Sequence, residues 1–141
     1  MPVSRKVATR APTRIDLGGG WTDVPPYCDR EGGFVCNVAI SRYATATLAA
    51  TTSPVASDGE HDSLLLRSVL RRSALSNVCL SLHNDFPMGA GLGGSSAATA
   101  AMLTAVAEWK GEPWDRCAVA EAGRQIEVED LGIAGGRQDH Y

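Results

Sequence analysis

Residues 87–98 read Pro87-Met88-Gly89-Ala90-Gly91-Leu92-Gly93-Gly94-Ser95-Ser96-Ala97-Ala98. Glycine is costly to order, so a loop this rich in it implies a ligand that the backbone must approach closely. Consecutive backbone N–H groups running into a helix N-terminus form an anion cradle. A nucleotide phosphate fits best, with Ser95 or Ser96 on its magnesium ion. The same two serines stand where a helix cap belongs. A Walker A loop needs Gly-Lys-Ser/Thr, and the only lysines are Lys6 and Lys110. Gly89, Gly91 and Gly94 fit G-x-G-x-x-G, but the helix after the loop leads to Gly111-Glu112-Pro113-Trp114 and a further helical pattern, not to the strand a dinucleotide site requires. Val38-Ala39-Ile40 resembles the protein-kinase strand, with Ser41 where its lysine belongs.

Two further constellations carry chemistry. The first is Arg14-Ile15-Asp16-Leu17, then Gly18-Gly19-Gly20 and Trp21-Thr22-Asp23. A strand feeding a glycine turn would hold the Asp23 carboxylate at its end, where it can accept two sugar hydroxyls at once. Arg14 on that strand can stabilise phosphoryl charge; an ordinary ion pair of Arg14 with Asp16 or Asp23 is the competing reading. The second is Glu127-Val128-Glu129-Asp130 followed by Gly135-Gly136-Arg137-Gln138-Asp139-His140-Tyr141. Acids at a helix C-terminus oppose the dipole, so one of them is expected to serve a metal, Glu129 and Asp130 forming a solvated face. Asp139 after paired glycines suits a positioned base. His140 alone reads as a surface histidine.

These groups need a frame. Val3–Thr9 and Arg14–Leu17 read as strands, Trp21–Gly33 as a loop, and Phe34–Thr52 as two strands or one long bent one. Ser53–Glu60 reads as a linker. Asp62–Leu75 is helical in pattern, with Asp62 or Ser63 as its cap. Val78–Leu82 alternates as a strand that delivers Asp85-Phe86-Pro87 to the glycine loop. A helix over Ser95–Trp109, ended near Gly111, is alanine-rich enough for close packing on a sheet. Pro113 suits the first turn of a third helix reaching about Leu131, with Gly132 at its C-terminal cap.

The chain has 141 residues, a net charge of −3 and a pI of about 5.5, enough for one domain with a core. Its positive charges are scattered, which argues against a nucleic-acid partner; Arg71-Arg72 reads as a solvated helix end. Cys28, Cys36, Cys79 and Cys117 are widely spaced, without C-x-x-C, so zinc and a disulfide frame are not expected and the default is reduced thiols in the cytoplasm. No apolar run reaches membrane-spanning length, and no secretory signal follows Met1.

The glycine run resembles the second motif of the GHMP kinases, roughly Pro-x-x-x-Gly-Leu-Gly-Ser-Ser-Ala, with Gly94 where a first serine is common. Ala11-Pro12-Thr13-Arg14-Ile15-Asp16-Leu17 and Thr22-Asp23 resemble their first motif, with Thr13 in place of a small residue. Asp16-Leu17 through Gly19-Gly20-Trp21-Thr22-Asp23-Val24-Pro25-Pro26 resembles the fucokinase branch. Gly136-Arg137-Gln138-Asp139-His140-Tyr141 resembles the D-glycero-D-manno-heptose 7-phosphate kinases. The resemblance implies an α+β fold, a GHMP N-terminal domain over residues 1–141 with a mixed sheet and helices mainly on one face. The C-terminal half of such kinases has no counterpart here.

What the resemblance implies for the site is specific. Asp139 and Arg14 would be catalytic, and Asp23 and Thr22 would bind the sugar. Pro87, Gly89, Ala90, Gly91, Leu92, Gly93, Gly94, Ser95, Ser96 and Ala97 would bind ATP, and Ser95 with Glu127 would hold Mg2+. The acceptor would be the anomeric hydroxyl of a heptose 7-phosphate, alternatively fucose. Arg10, Arg42 and Arg137 are the candidates for a second phosphate. The partners expected are the sugar or sugar phosphate and ATP, with no nucleic acid and no membrane; a homodimer is compatible. A non-catalytic sugar- and nucleotide-sensing module is the alternative class.

Overall fold

The computed structural model describes residues 5–52 and 60–141, with the side chains of residues 60–63 left aside. The chain runs β1 (Lys6–Gly18), α1 (Tyr27–Glu31), β2 (Cys36–Ala50), α2 (Glu60–Ser73), β3 (Val78–Asn84), α3 (Gly94–Lys110) and α4 (Arg116–Gln125), with a π-helical turn over Ile126–Asp130. The strands form one sheet in the order β1-β2-β3. The class is α+β, as expected. Both described ladders are antiparallel, however, where a mixed sheet was expected. Ala50 at the end of β2 faces Val78 at the start of β3. The chain between them therefore returns to the end of the sheet it left, and the two strands oppose.

The two strands expected over residues 3–17 are one, with residues 3 and 4 outside the described range. Pro12 has no N–H for a ladder, which separates the two runs in the sequence. The structure keeps the strand continuous by shifting register there: Pro12 faces Tyr43 and Thr13 faces Ile40, so Ser41 and Arg42 bulge from β2. The buried Thr13 hydroxyl donates to the Arg42 carbonyl at 3.1 Å and pins the bulge. Strand β2 is accordingly the single long bent strand of the two alternatives.

One face of the sheet is covered by helices. Along β2, Ala44, Ala46 and Leu48 point inward and are fully buried. They meet Ala97, Ala98, Ala101, Met102 and Ala105 of α3, so backbone approaches backbone across small side chains. Leu65, Leu66 and Val69 of α2 and Ile126 of the π-turn close the same core. Burying each such aliphatic side chain contributes roughly 1.5–3 kcal/mol. Among the described residues no helix is long and apolar enough to cross a membrane.

The helix ends differ from the expectations in an instructive way. Helix α2 begins at Glu60, and the cap expected at Asp62 or Ser63 lies outside the described side chains, as does the linker over residues 53–59. Helix α3 is entered through Gly93 in the left-handed region (φ 66°), with no side-chain cap. Ser95 and Ser96 therefore sit inside the first turn. Pro113 lies before α4, outside its first turn; Asp115 caps that helix, accepting the Ala118 N–H at 3.2 Å. That helix gives way to the π-turn at Ile126, and Gly132 (φ 66°) follows its end.

Candidate active site

Strand β3 ends beside β2, with Asn84 facing Ala44, and the chain turns through residues 85–93 into α3. The turn is tied to both neighbouring strands. The Tyr43 N–H donates to the Asp85 carboxylate at 2.7 Å, and the Asp85 N–H donates to the Tyr43 carbonyl at 3.2 Å. Past its bulge, β1 donates the Arg14 N–H to the Leu92 carbonyl at 3.1 Å. The Arg14 guanidinium donates to the Gly91 carbonyl at 2.8 Å. Gly93 must be glycine twice over: its φ is positive, and a Cβ there would stand 3.2 Å from the guanidinium carbon.

Between this loop and the segment 134–139 lies a cavity of about 830 Å3. The loop from Phe86 to Ser95 forms one wall; Arg14, Asp16, Trp21, Asp23, Gln138 and Asp139 are among the residues that line the others. The uncapped first turn of α3 brings its free N–H groups to the loop side. Three segments far apart in sequence thus converge, the three that carried chemistry in the sequence.

Arg14 is the centre of the charge network. Its Nη2 donates to Asp139 Oδ1, and its Nε lies 3.1 Å from Asp16 Oδ1. Of the two pairings expected, that with Asp16 forms and that with Asp23 does not; the guanidinium side chain, 14% exposed, lines the cavity and is neutralised there by Asp16 and Asp139. Asp23 accepts the Gln138 N–H at 2.9 Å through Oδ2, while its buried Oδ1 has no hydrogen-bond partner. Gln138 also donates from Nε2 to Asp16 at 3.3 Å and accepts from Asn37 at 3.1 Å. A Cβ on Gly136 would fall inside the Asp23 carboxylate, so the second glycine of the pair exists to let Asp23 in.

Some expected site residues stand elsewhere. The Thr22 hydroxyl donates to the Gly19 and Phe34 carbonyls at 2.7 and 2.9 Å and accepts the Phe34 N–H at 3.1 Å. It closes the loop that carries Asp23 and does not line the cavity. Ala97 is buried in the core against the sheet. Ser95 lines the cavity but does not meet Glu127; Ser96 does, its hydroxyl 3.3 and 3.4 Å from the two carboxylate oxygens. The 100° step per helix residue decides this, turning Ser96 inward and leaving Ser95 outward. Arg10 stacks over the Tyr43 ring at 4.5 Å and Arg137 pairs with Glu121 at 3.0 Å. Neither they nor Arg42 line the cavity.

The acids of the π-turn divide. The extra residue in the turn rotates Glu127 into the interior, where it is 4% exposed. Asp130 accepts from Arg72 at 2.8 and 2.9 Å and pairs with Arg71 at 3.0 Å, and Glu129 pairs with Arg72 at 2.9 Å. Glu129, Arg71 and Arg72 are exposed, as expected of a solvated face and helix end, and they pair across α2 and the π-turn; only Asp130 departs from the expectation, its side chain being largely covered by the two arginines. The hydrogen bond from Arg72 holds the Asp130 carboxyl down at about 2. The Tyr141 hydroxyl, then Arg137, lower Glu121 and fasten the final segment to α4.

His140 is a residue the sequence reading placed wrongly. Its side chain is 1% exposed, with Nε2 3.3 Å from Glu127 Oε2. Nothing in the local pattern signals this, because the ring fills a space left by Gly123, on another helix. Gln138 was likewise not singled out, for the same reason.

Residues 63–141 match the family of GHMP kinases N terminal domain. The chain belongs to the GHMP kinases. It is 34% identical to the D-glycero-alpha-D-manno-heptose 7-phosphate kinase of Campylobacter jejuni, over 97% of this chain and 48% of that protein. It is 26% identical to the L-fucokinase/L-fucose-1-P guanylyltransferase of Bacteroides fragilis, over 94% of this chain and 19% of that protein. The crystal structure of a D-glycero-D-manno-heptose 1-phosphate kinase from Bacteroides thetaiotaomicron superposes with a TM-score of 0.82 at 32% identity, covering 95% of this chain and 52% of that one. The chain thus spans about half the length of the heptose kinases it resembles.

Proposed function

We propose that this GHMP domain serves the ATP-dependent phosphorylation of a sugar hydroxyl, with a heptose phosphate as acceptor class. The observation that carries the reading is the Arg14–Asp139 pair at the junction of the glycine loop and the Asp23 pocket. The loop and the α3 N-terminus would take the triphosphate. Asp23, with one carboxylate oxygen unpartnered, would accept acceptor hydroxyls. Asp139 would take or orient the proton of the attacking hydroxyl. Arg14 would turn from its carboxylates toward the charge on the transferring phosphoryl group. Phosphoryl transfer is accelerated chiefly by positioning and electrostatics, so no covalent nucleophile is required.

Ser96 and Glu127 fit a magnesium ion in this reading. They supply hard oxygen donors at one point under the loop, and Mg2+ is usually held by one or two carboxylates plus substrate phosphates. When bound, the ion would neutralise phosphate charge. A reducing, cytoplasmic setting belongs to this reading, since widely spaced cysteines without C-x-x-C suit unpaired thiols.

The fucokinase-like reading draws on a separate observation. Among the described residues lining the cavity Arg14 is the cation, and it is already flanked by Asp16 and Asp139. An acceptor without its own phosphate suits such a wall. The test is ATP turnover by the full-length protein across free sugars and sugar phosphates. Turnover with a heptose phosphate supports the main reading, turnover with free fucose supports the second, and ATP binding without turnover on any sugar refutes both.

A further inference from the structure

We propose that His140 is a positioning residue that fixes the Glu127 carboxylate, and that Ser96, Glu127 and His140 act as one buried unit. The inference rests on the reading above in which Glu127 and Ser96 serve a magnesium ion. The imidazole is enclosed: its side chain is 1% exposed and that of Glu127 5%. Both ring nitrogens are buried without an aligned hydrogen bond. Leaving a buried polar group unpaired is costly, so an imidazole kept here has a reason to be polar. Nε2 lies 3.3 Å from Glu127 Oε2, and the Ser96 hydroxyl lies 3.3 Å from Oε1. The carboxylate is therefore held between a group on α3 and a group on the last segment.

The chain makes room for the ring. A Cβ on Gly123 would stand 3.0 Å from the ring carbon Cδ2 and 3.3 Å from the Thr99 methyl. The His140 N–H donates to the Arg137 carbonyl at 3.1 Å, which turns the side chain inward directly after Asp139. The same short turn thus presents Asp139 to the cavity and His140 to Glu127. A group that orients a metal-binding carboxylate typically changes metal affinity by about 10–100-fold when removed.

The test uses the full-length protein and Mn2+ binding, read by electron paramagnetic resonance with a non-hydrolysable ATP analogue at saturation. H140L should weaken Mn2+ by about tenfold or more, with metal-free affinity for the analogue unchanged. H140Q, whose amide can still donate, should restore it to within about threefold. E127Q should weaken Mn2+ more than H140L does while leaving it measurable, and H140L/E127Q should bind no more weakly than E127Q alone. Should H140L not fold, H140N keeps a polar side chain that is too short to reach Glu127, and it should show the H140L loss. Wild-type Mn2+ affinity in H140L or H140N, or additive losses in the double variant, overturns the proposal while leaving the reading of Glu127 standing. Wild-type affinity in E127Q overturns that reading first, and the proposal with it.

Discussion

Gly136 and its neighbour Gly135 make a matched experiment. A methyl on Gly136 would overlap the Asp23 carboxylate, whereas a methyl on Gly135 would meet only Glu127 Oε2, at an ordinary 3.9 Å. Real Cβ contacts essentially never fall below 3.0 Å, so G136A must move Asp23 or residues 136–138 by about 1 Å. Asp23 also accepts the Gln138 N–H, so either movement breaks the link between the two halves of this cavity wall. A misplacement of about 1 Å can cost on the order of 100-fold in rate, or about 2.7 kcal/mol. Overpacking of this kind destabilises by roughly 1–3 kcal/mol. The assay is initial-rate ATP turnover with the acceptor varied, alongside thermal unfolding of both variants. G136A should lose about 100-fold in kcat/KM for the acceptor and melt early, while its KM for ATP moves less than about threefold. G135A should match wild type in both. If the two variants behave alike, Asp23 is not held by close contact with Gly136 and the reasoning fails.

Three further outcomes are expected. D139N keeps an oxygen for Arg14 but cannot take a proton, so kcat should fall by about 100- to 10,000-fold with ATP affinity retained, as equilibrium binding would show. S96A should raise the Mg2+ concentration needed for half-maximal rate well above the effect of S95A, because Ser96 and not Ser95 meets Glu127; equal effects would return the metal role to Ser95. The Asp130 carboxyl sits at about 2 against an ordinary 3.8 because of its hydrogen bonds to Arg72 and Arg71. Its pKa is depressed on folding, so its stabilisation is complete above about pH 4 and is lost as pH falls toward 2. Urea midpoints of wild type and R72M should therefore differ at pH 7 and converge as pH falls to 2; a constant gap would show that the pair with Asp130 is not the cause.

How much of the site was legible can be judged from single residues. The glycine loop was readable because its need is local: left-handed backbone at Gly89, Gly91 and Gly93 and a helix start immediately after. Arg14 and Asp139 were readable as a strand arginine and an acid after paired glycines. Their contact was not, since it joins residues 125 apart in sequence. Thr22 was misplaced because a hydroxyl beside a key aspartate looks the same whether it faces ligand or braces its own loop. The choice between Ser95 and Ser96 turned on the rotation of α3 against the π-turn, which no local pattern encodes.

The sequence by itself determined the class of the molecule. It set the order of elements, β3 and α3 to within two residues, the glycine loop, and the three segments that had to meet. Periodicity, turn chemistry and backbone freedom act over a few residues, so one strand of text carries them. Only the tertiary structure decided the rest. It fused two expected strands across Pro12 by shifting the bulge onto β2, turned the acids Glu129 and Asp130 toward Arg71 and Arg72, and buried His140 against Glu127 in the space beside Gly123. Each of these depends on which surfaces come together, and contact between distant segments is settled by packing and charge pairing in three dimensions.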